Sequence, residues 1–464
     1  MTLILAVNAG SSSLKVSLFQ RISHDPAVPR LLLTSSTSSI SSPPSKFSFT
    51  VINTPGLDWC SAGHKETSEP DILDHESAFR HFLDKLAQFG AAQHTGGAQH
   101  AKDEVKVNLN PSEIRNICHR VVHGGQYVDP VVINEQMYHH IEKLSDLAPL
   151  HNGAALRVIH AAIKVLPCAR SIAFFDTAFH KHLPAHVAAY AIDQDVAKRR
   201  GLRKYGFHGL SYAFITREVA RYLRKDPSTL NIIALHIGSG ASACAIRGGK
   251  SIDTSMGLTP LSGLPGSTRA GDIDPSLIFH YTSRDVPPEG EKDEEGTRIM
   301  SHKDGVAREV HVSEAERILN TQMGWKALTG TTDFGEIVRK AFPSSANEPQ
   351  NNQYTLAFNL LLDRILHFVG AYHLVLRGDV HALVFAGGVG ERSSVVRSKV
   401  GEAIECLGYV SVDKAANEGV ESAEGAVMDI GVKRSEHGSK RMLVCRTDEQ
   451  KEMARGCAIM EEYW

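Results

Sequence analysis

Long hydrophobic runs are missing from this chain. No apolar stretch approaches the roughly 18–20 residues that cross a bilayer. The apolar segment at 3–7 has no basic flank and is too short for a signal-peptide core. Cysteine is scarce, seven in 464 residues with no Cys-x-x-Cys pair, so reduced thiols and a cytoplasmic location are expected. Neither sign of charge dominates. Lys and Arg number 50, Asp and Glu 52, for a net charge of -2. A nucleic-acid partner or a membrane surface calls for a basic excess, so neither is expected. The 24 His show no His-Glu-x-x-His spacing, which argues against a His-built zinc site. What remains is an ordinary soluble composition, 42% hydrophobic and 22% charged, long enough for two or three domains.

Two segments of the chain are built alike. Near the N-terminus, an apolar run from Leu3 meets Asn8-Ala-Gly-Ser-Ser-Ser-Leu-Lys15 and continues as a second apolar run. Far downstream, Ile232-Ile-Ala-Leu-His236-Ile237-Gly238-Ser239-Gly240 leads into Ala241-Ser-Ala-Cys-Ala-Ile246. Each reads as strand, Gly/Ser turn and strand, with small residues and backbone N–H groups gathered where an anion could sit. One such turn per half suggests two related domains closing on one polyphosphate.

The remaining pattern supports an α/β fold with a mostly parallel sheet. Strands are expected over 30–34 and 47–53, separated by a Ser-rich surface loop at 34–45. A further polar loop is expected at 92–104. A buried strand over 114–122 ends at His123-Gly-Gly125, a helix opens at His151, and a strand over 172–175 delivers Asp176. In the second half, strands over 232–235, 243–247 and 251–254 are joined in part by a Gly248-Gly249 turn. The acidic stretch at 287–296 reads as an exposed insert. A long helix over 353–377, a strand over 382–385, the turn Ala386-Gly-Gly388-Val389-Gly390-Glu391 and a strand over 442–445 follow. Thr447 and Gln450 have capping-box spacing, which puts Glu449 in the first turn of the last helix.

Several residue patterns carry chemistry. Lys15 lies on the second strand of its hairpin, opposite in sense to Leu14 and Val16, as a point charge for a phosphate or simply as a solvated Lys. Arg120 sits inside an apolar strand and needs an anionic partner, either a ligand or an internal carboxylate. Arg269 lies in the Gly-rich loop Thr268-Arg-Ala-Gly-Asp272 with the same two readings. Two Arg forks suit a small carboxylate and a transferring phosphoryl group. Asp176 at a strand end suits metal or catalytic work, or a cap. His208 in Tyr205-Gly-Phe207-His-Gly209 could place an imidazole over a reacting group, or could serve structure alone.

In this order, the motifs resemble those of the acetate kinases. They are Asn8-x-Gly-Ser-Ser-Ser-Leu-Lys15, His119-Arg-Val-Val-His-Gly-Gly125, Ala148-Pro-Leu-His-Asn152, Phe175-Asp-Thr-Ala-Phe-His180, Tyr205-Gly-Phe-His-Gly209, Thr254-Ser-Met-Gly and Gly390-Glu. The resemblance runs from Leu3 to about Met460, interrupted near 34–46, 90–106 and 284–296. It implies two ribonuclease H-like domains of the actin-like ATPase type with the active site in the cleft between them. The domains would be 1–180 with 450–464, and 181–449. It implies Mg²⁺-dependent (or Mn²⁺-dependent) phosphoryl transfer between ATP and acetate in a homodimer. Residue by residue, it implies Asn8 and Glu449 as metal-linked, and Lys15 as a phosphate contact. Arg120 and Arg269 become clamps, Asp176 the catalytic Asp and His208 a transition-state stabiliser. Val122, Leu150, Phe207 and Pro260 would line the acetate methyl pocket. His236, Ile237, Gly238, Ser239 and Gly240, with Asp333, Phe334 and Gly335 and with Gly388, Val389, Gly390, Glu391 and Arg392, would form the nucleotide loops.

Three residues depart from the family pattern: Ser239, Gly335 and Arg392, where Asn, Arg and Asn are usual. All fall in nucleotide loops and bear on the phosphate donor. Small Gly388 and Val389 favour ATP over pyrophosphate, the donor of one branch of the family. Propionate and butyrate kinases are neighbouring readings, and a nucleotide-binding sensor without kinase activity is the reading from another class. That sensor would need neither both Arg nor an acyl pocket.

Overall fold

A computed structural model describes residues 2–40, 42–52, 63–95, 109–144, 149–282, 313–343, 351–432 and 440–464. The chain divides into two compact units, Met1–Ala178 with Asp448–Trp464, and Phe179–Thr447.

The first unit is built on a mixed sheet. Its strands are Leu3–Ala9 (β1), Ser13–Gln20 (β2), Arg30–Ser38 (β3), Ser45–Val51 (β4), Gly63–Glu69 (β5), Ile114–Val121 (β6), Val131–Val132 (β7) and Arg170–Phe175 (β8). They lie in the order β5-β4-β3-β2-β1-β6-β8-β7. β1, β2 and β3 form an antiparallel meander, whereas β6 is parallel to β1 and β8 is parallel to β6. β1 is buried along almost its whole length, as a central strand covered on both faces must be. Leu3, Leu5 and Val7 pack with Phe79, Phe82 and Leu86 of the helix His75–Thr95 and with Val158 and Ala162 of the helix Pro149–Val165.

The second unit repeats this plan. Ile232–Ile237 (β9), Ala241–Arg247 (β10), Lys250–Thr254 (β11), Ala382–Ala386 (β12), Val427–Asp429 (β13) and Arg441–Cys445 (β14) lie in the order β11-β10-β9-β12-β14-β13. Again three strands meander antiparallel, and two more join the first in parallel. Strand periodicity is visible in β9. Ile233, Leu235 and Ile237 face Phe358, Leu361 and Ile365 of the helix Gln353–Val375. Ile232 and Ala234 face Phe214, Ile215 and Val219 of the helix Gly209–Tyr222. Gly248 and Gly249, at φ of +55° and +69°, make the tight β10–β11 turn that only glycine takes readily. Each unit thus carries a ribonuclease H-like sheet.

Three expectations need correction. The Ser-rich 34–45 segment is half strand, since β3 runs through Ser38 and β4 starts at Ser45. β3 lies between β2 and β4, so both of its edges are paired. Its Ser35 hydroxyl also donates to Ser48 O at 2.8 Å. Composition was a poor guide because the alternating hydroxyls fit a pleated ladder with polar partners on each side. Part of 92–104 is helical too, since the helix from His75 runs to Thr95, and the rest lies outside the described residues. The 287–296 insert also lies outside them. Finally, Asp448 rather than Thr447 caps the last helix, Glu449–Ile459, accepting from Lys451 N at 2.8 Å. A carboxylate one residue later wins the cap, and Gln450 turns instead to the Ser17 hydroxyl.

Candidate active site

In the first unit, the C-terminal ends of three parallel strands meet. Asn8 lies near the end of β1, Arg120 near the end of β6, and Asp176 just beyond β8. In open α/β sheets this edge is where ligands bind. Arg120 donates from Nε to Asp176 Oδ1 and Oδ2 at 3.2 and 3.1 Å, and from Nη2 to Oδ2 at 2.6 Å. Its Nη1 donates to Asn8 Oδ1 at 3.1 Å, and Nε lies 3.4 Å from Glu449 Oε2. Asn8 Nδ2 closes the ring by donating to Glu449 Oε2 at 2.7 Å. Burial works against the charge on Arg120, but the Asp176 and Glu449 carboxylates hold its pKa above the ordinary value. Of the five N–H groups of a guanidinium, these bonds use three. The two others, on the terminal nitrogens, are not engaged by these partners. Lys15 is exposed and pairs directly across the ladder with Asn8, so the two share a face of the sheet.

Val122 follows β6 and is half-buried. Just beyond it, Asn152 grips His123 at both backbone groups, accepting from N at 3.0 Å and donating to O at 3.1 Å. Leu150 lies in the first turn of the helix Pro149–Val165, and its side chain is outside the described set.

The second unit gathers another cluster. His208 caps the helix Gly209–Tyr222 in a left-handed conformation, φ +57°. Its ring stacks on His236 with centroids 4.2 Å apart, and Nδ1 lies 2.8 Å from the Ser242 hydroxyl. The Arg269 guanidinium reaches the same place. A Cβ on Gly240 would collide with it and would lie 3.5 Å from His208 Nε2. Gly240 therefore leaves room for two cationic or proton-donating groups to converge. The Arg269 loop is pinned on both sides: Gly266 N donates to Arg269 O at 3.0 Å and Ala270 N to Leu319 O at 3.1 Å. Phe207 and Pro260 are both buried.

The loop segments differ in what they offer. Gly238 N bonds Gly240 O at 3.0 Å, and Ser239 O accepts from Ser267 N at 2.9 Å, so the turn after β9 is held by its own backbone. Residues Gly387–Arg392, Val389 and Gly390 among them, form a short helix after β12 rather than an open turn. Gly387, at φ +74°, packs against Ile237. Arg392 Nη2 lies 3.3 Å from where a Gly388 Cβ would be. Glu391 is turned inward, accepting at Oε1 from Gly387 N at 3.0 Å and from Thr447 N and Oγ1 at 3.2 and 3.1 Å. Asp333 caps the helix Phe334–Ala341, accepting from Gly335 N at 2.8 Å. Arg339 Nη1 sits 3.5 Å from a Cβ placed on Gly335.

Sequence reasoning missed three supporting residues. His180 is buried and bonds Phe207 O through Nε2 at 2.9 Å and the Ser251 hydroxyl through Nδ1 at 2.7 Å. It thus fixes the residue before His208. Burial lowers its pKa to about 4, so it is neutral at pH 7. Arg397 is fully buried and donates from Nη1 to Gly390 O at 3.0 Å and to Glu391 O at 2.8 Å, holding the 387–392 segment from beneath. Thr447 takes one end of the Glu391 bridge. The sequence offers His180 within a motif and Thr447 as a cap, but these contacts are made only by the tertiary fold.

The acetokinase family model matches residues 3–455. The chain belongs to the acetokinase family. A "probable acetate kinase" of Emericella nidulans is 45% identical over 455 residues, 98% of this chain and 97% of that protein. Among solved structures, a propionate kinase of Francisella tularensis aligns with a TM-score of 0.76 at 29% identity, covering 98% of this chain and 99% of its own. An acetate kinase of Porphyromonas gingivalis gives 0.71 at 30% identity, with 98% of each chain covered. The actin-like ATPase fold of these acetokinase-family kinases is the fold of this chain, in agreement with the two repeated sheets. Among the described residues no helix is long and apolar enough to cross a membrane.

Proposed function

We propose that this acetokinase-family protein transfers the γ-phosphoryl group of ATP reversibly to acetate, giving acetyl phosphate and ADP, and that the two clusters serve one reaction. The observation that carries this reading is Arg120. It is fixed by Asp176 and Asn8 at the ligand-binding edge of the sheet, with two N–H donors left for a carboxylate. Acetate is ionised at neutral pH and needs no general base to attack phosphorus. Asp176 has no proton to remove in this direction, and its contact with Arg120 supports a role in orienting that clamp. Val122 and Phe207 would shape the side of the site that takes the methyl group. Arg269 and His208, converging at Gly240, would meet the charge that develops on the in-line phosphoryl group.

Asn8 and Glu449 offer two hard oxygen donors. That suits Mg²⁺, which takes few protein ligands when substrate phosphates and water complete its shell. Among the described residues no group of three or more His, Cys, Asp or Glu could hold a metal by itself. When bound, the ion supplies charge neutralisation to the donor phosphates. Lys15, across the ladder from Asn8, would add a point charge to the same phosphates. Small Gly388 supports ATP as donor, because a purine could lie against that segment once Arg392 swings aside. The reading extends to a cytoplasmic homodimer. The test is formation of acetyl phosphate, trapped as the hydroxamate, with ATP and pyrophosphate as competing donors and acetate, propionate and butyrate as acceptors. Saturable, Mg²⁺-dependent product with ATP and acetate supports the proposal. No product with either donor would overturn it.

A further inference from the structure

The imidazole of His208 is not held by its ring stacking alone. Its Nδ1 lies 2.8 Å from the Ser242 hydroxyl, and the Tyr212 hydroxyl lies 2.5 Å from the same oxygen. Tyr212 is fully buried one turn into the helix that His208 caps, and Ser242 is fully buried on β10. Three groups in a row, each with one proton to place, can be arranged in only a few ways.

We propose that Tyr212 and Ser242 form a hydrogen-bond relay that locks His208 as its Nε2–H tautomer, so that Nε2 presents a fixed donor beside Arg269. The direction of the relay follows from its far end. Burial keeps the Tyr212 phenol protonated. A buried hydroxyl must place its proton on an acceptor, and Ser242 Oγ lies 2.5 Å away. The Tyr212 proton therefore goes to Ser242 Oγ. The single Ser242 proton is then directed at His208 Nδ1, which accepts with its lone pair. The remaining imidazole proton sits on Nε2, the atom that faces the space over Gly240 shared with Arg269. The His236 ring, stacked 4.2 Å away at 24°, fixes the plane of the imidazole. Tyr212 and Ser242 touch no substrate and are positioning residues.

The proposal rests on the reading of His208 as a group that meets the transferring phosphoryl. Its test is separable from that reading, because a tautomer is read without substrate or turnover. The probe is the full-length protein labelled with ring-¹⁵N histidine at neutral pH. The His208 signals, among those of 24 His, are assigned by difference with His208→Asn. Wild type should show a pyridine-type Nδ1 and a protonated Nε2. Tyr212→Phe keeps the buried ring and removes only the hydroxyl, freeing Ser242 to donate or accept. Ser242→Ala removes the relay from the other side and leaves Tyr212 in place. Both should give a mixed tautomer. In both, kcat should fall roughly tenfold with KM for ATP and acetate held within about twofold, the split expected when an interaction is made only in the transition state. A wild-type His208 protonated on Nδ1 would overturn the relay even in an active kinase. So would an unchanged tautomer in both variants.

Discussion

Arg120 and Asp176 are 56 residues apart in sequence and share a forked contact, with Arg120 Nη2 2.6 Å from Asp176 Oδ2. Asp176 is fully buried, so its charge has been taken out of water, and the Arg120 guanidinium lies against it. In the function proposed above, the same contact would hold Arg120 in the orientation that receives acetate, so that one ion pair would serve both stability and positioning.

This pairing makes Asp176→Asn informative. The amide keeps the shape and can still accept from Nε, but it weakens the charge balance and lets the fork rotate. We expect kcat to fall on the order of 10²-fold or more and KM for acetate to rise. Asp176→Ala should also destabilise the fold by about 3–5 kcal/mol, the usual cost of breaking a buried pair. Steady-state kinetics and denaturant melts check both. Wild-type turnover in Asp176→Asn would remove Asp176 from the account.

Stability should fall with pH between about 6.5 and 4. Burial lowers the pKa of His119 to about 3 and that of His180 to about 4, so both are neutral when folded. An unfolded His binds its proton near pH 6.5. Below that value the unfolded chain takes up protons that the native one refuses, so the native state loses stability until its own His titrate. For His180 alone the loss amounts to about 3 kcal/mol across the window. Thermal melts from pH 7.5 to 4.5 should show a steep decline in the wild type. His180→Asn should start lower and decline less. Parallel curves would contradict this.

Much of the fold was legible in the sequence where burial is two-sided. β1, β9 and β12 are near-continuous apolar runs, which central parallel strands require. Asn8, Arg120 and Asp176 were legible as polar residues at the ends of such runs. The edge strand β5, Gly-His-Lys-Glu-Thr-Ser-Glu, carries no apolar signal and went unseen, since its pairing with β4 is set by backbone bonds. The Tyr212–Ser242–His208 row and the grip of His180 on Phe207 join residues distant in the chain. Only the tertiary fold brings such hydroxyls and rings together.

The Glu391 bridge predicts a selective defect. Its carboxylate ties Gly387 N to Thr447, the last residue of the second unit and two before Glu449. Glu391→Gln places an amide against donors and should loosen the 387–392 segment. We expect KM for ATP to rise about tenfold while KM for acetate stays within twofold. An equal change in both would show general unfolding rather than a loosened nucleotide segment.

Val122→Ala should widen acyl tolerance. Removing two methyl groups makes room for about one methylene, worth roughly 1–3 kcal/mol in discrimination between acetate and propionate. The ratio of kcat/KM for the two acids measures it directly. An unchanged ratio would place Val122 outside the acyl site.

The central claim is that the Arg120 cluster and the Arg269–His208 cluster act on a single phosphoryl group. Transfer of label from [γ-³²P]ATP to acetate in the presence of Mg²⁺ tests it most directly, with wild type, Arg120→Lys and Arg269→Lys side by side. A Lys keeps the charge at either position and loses the planar fork. We predict labelled acetyl phosphate from the wild type and a loss on the order of 10³-fold in each variant. Label released only as inorganic phosphate by the wild type, or near-normal transfer by either variant, would contradict the account.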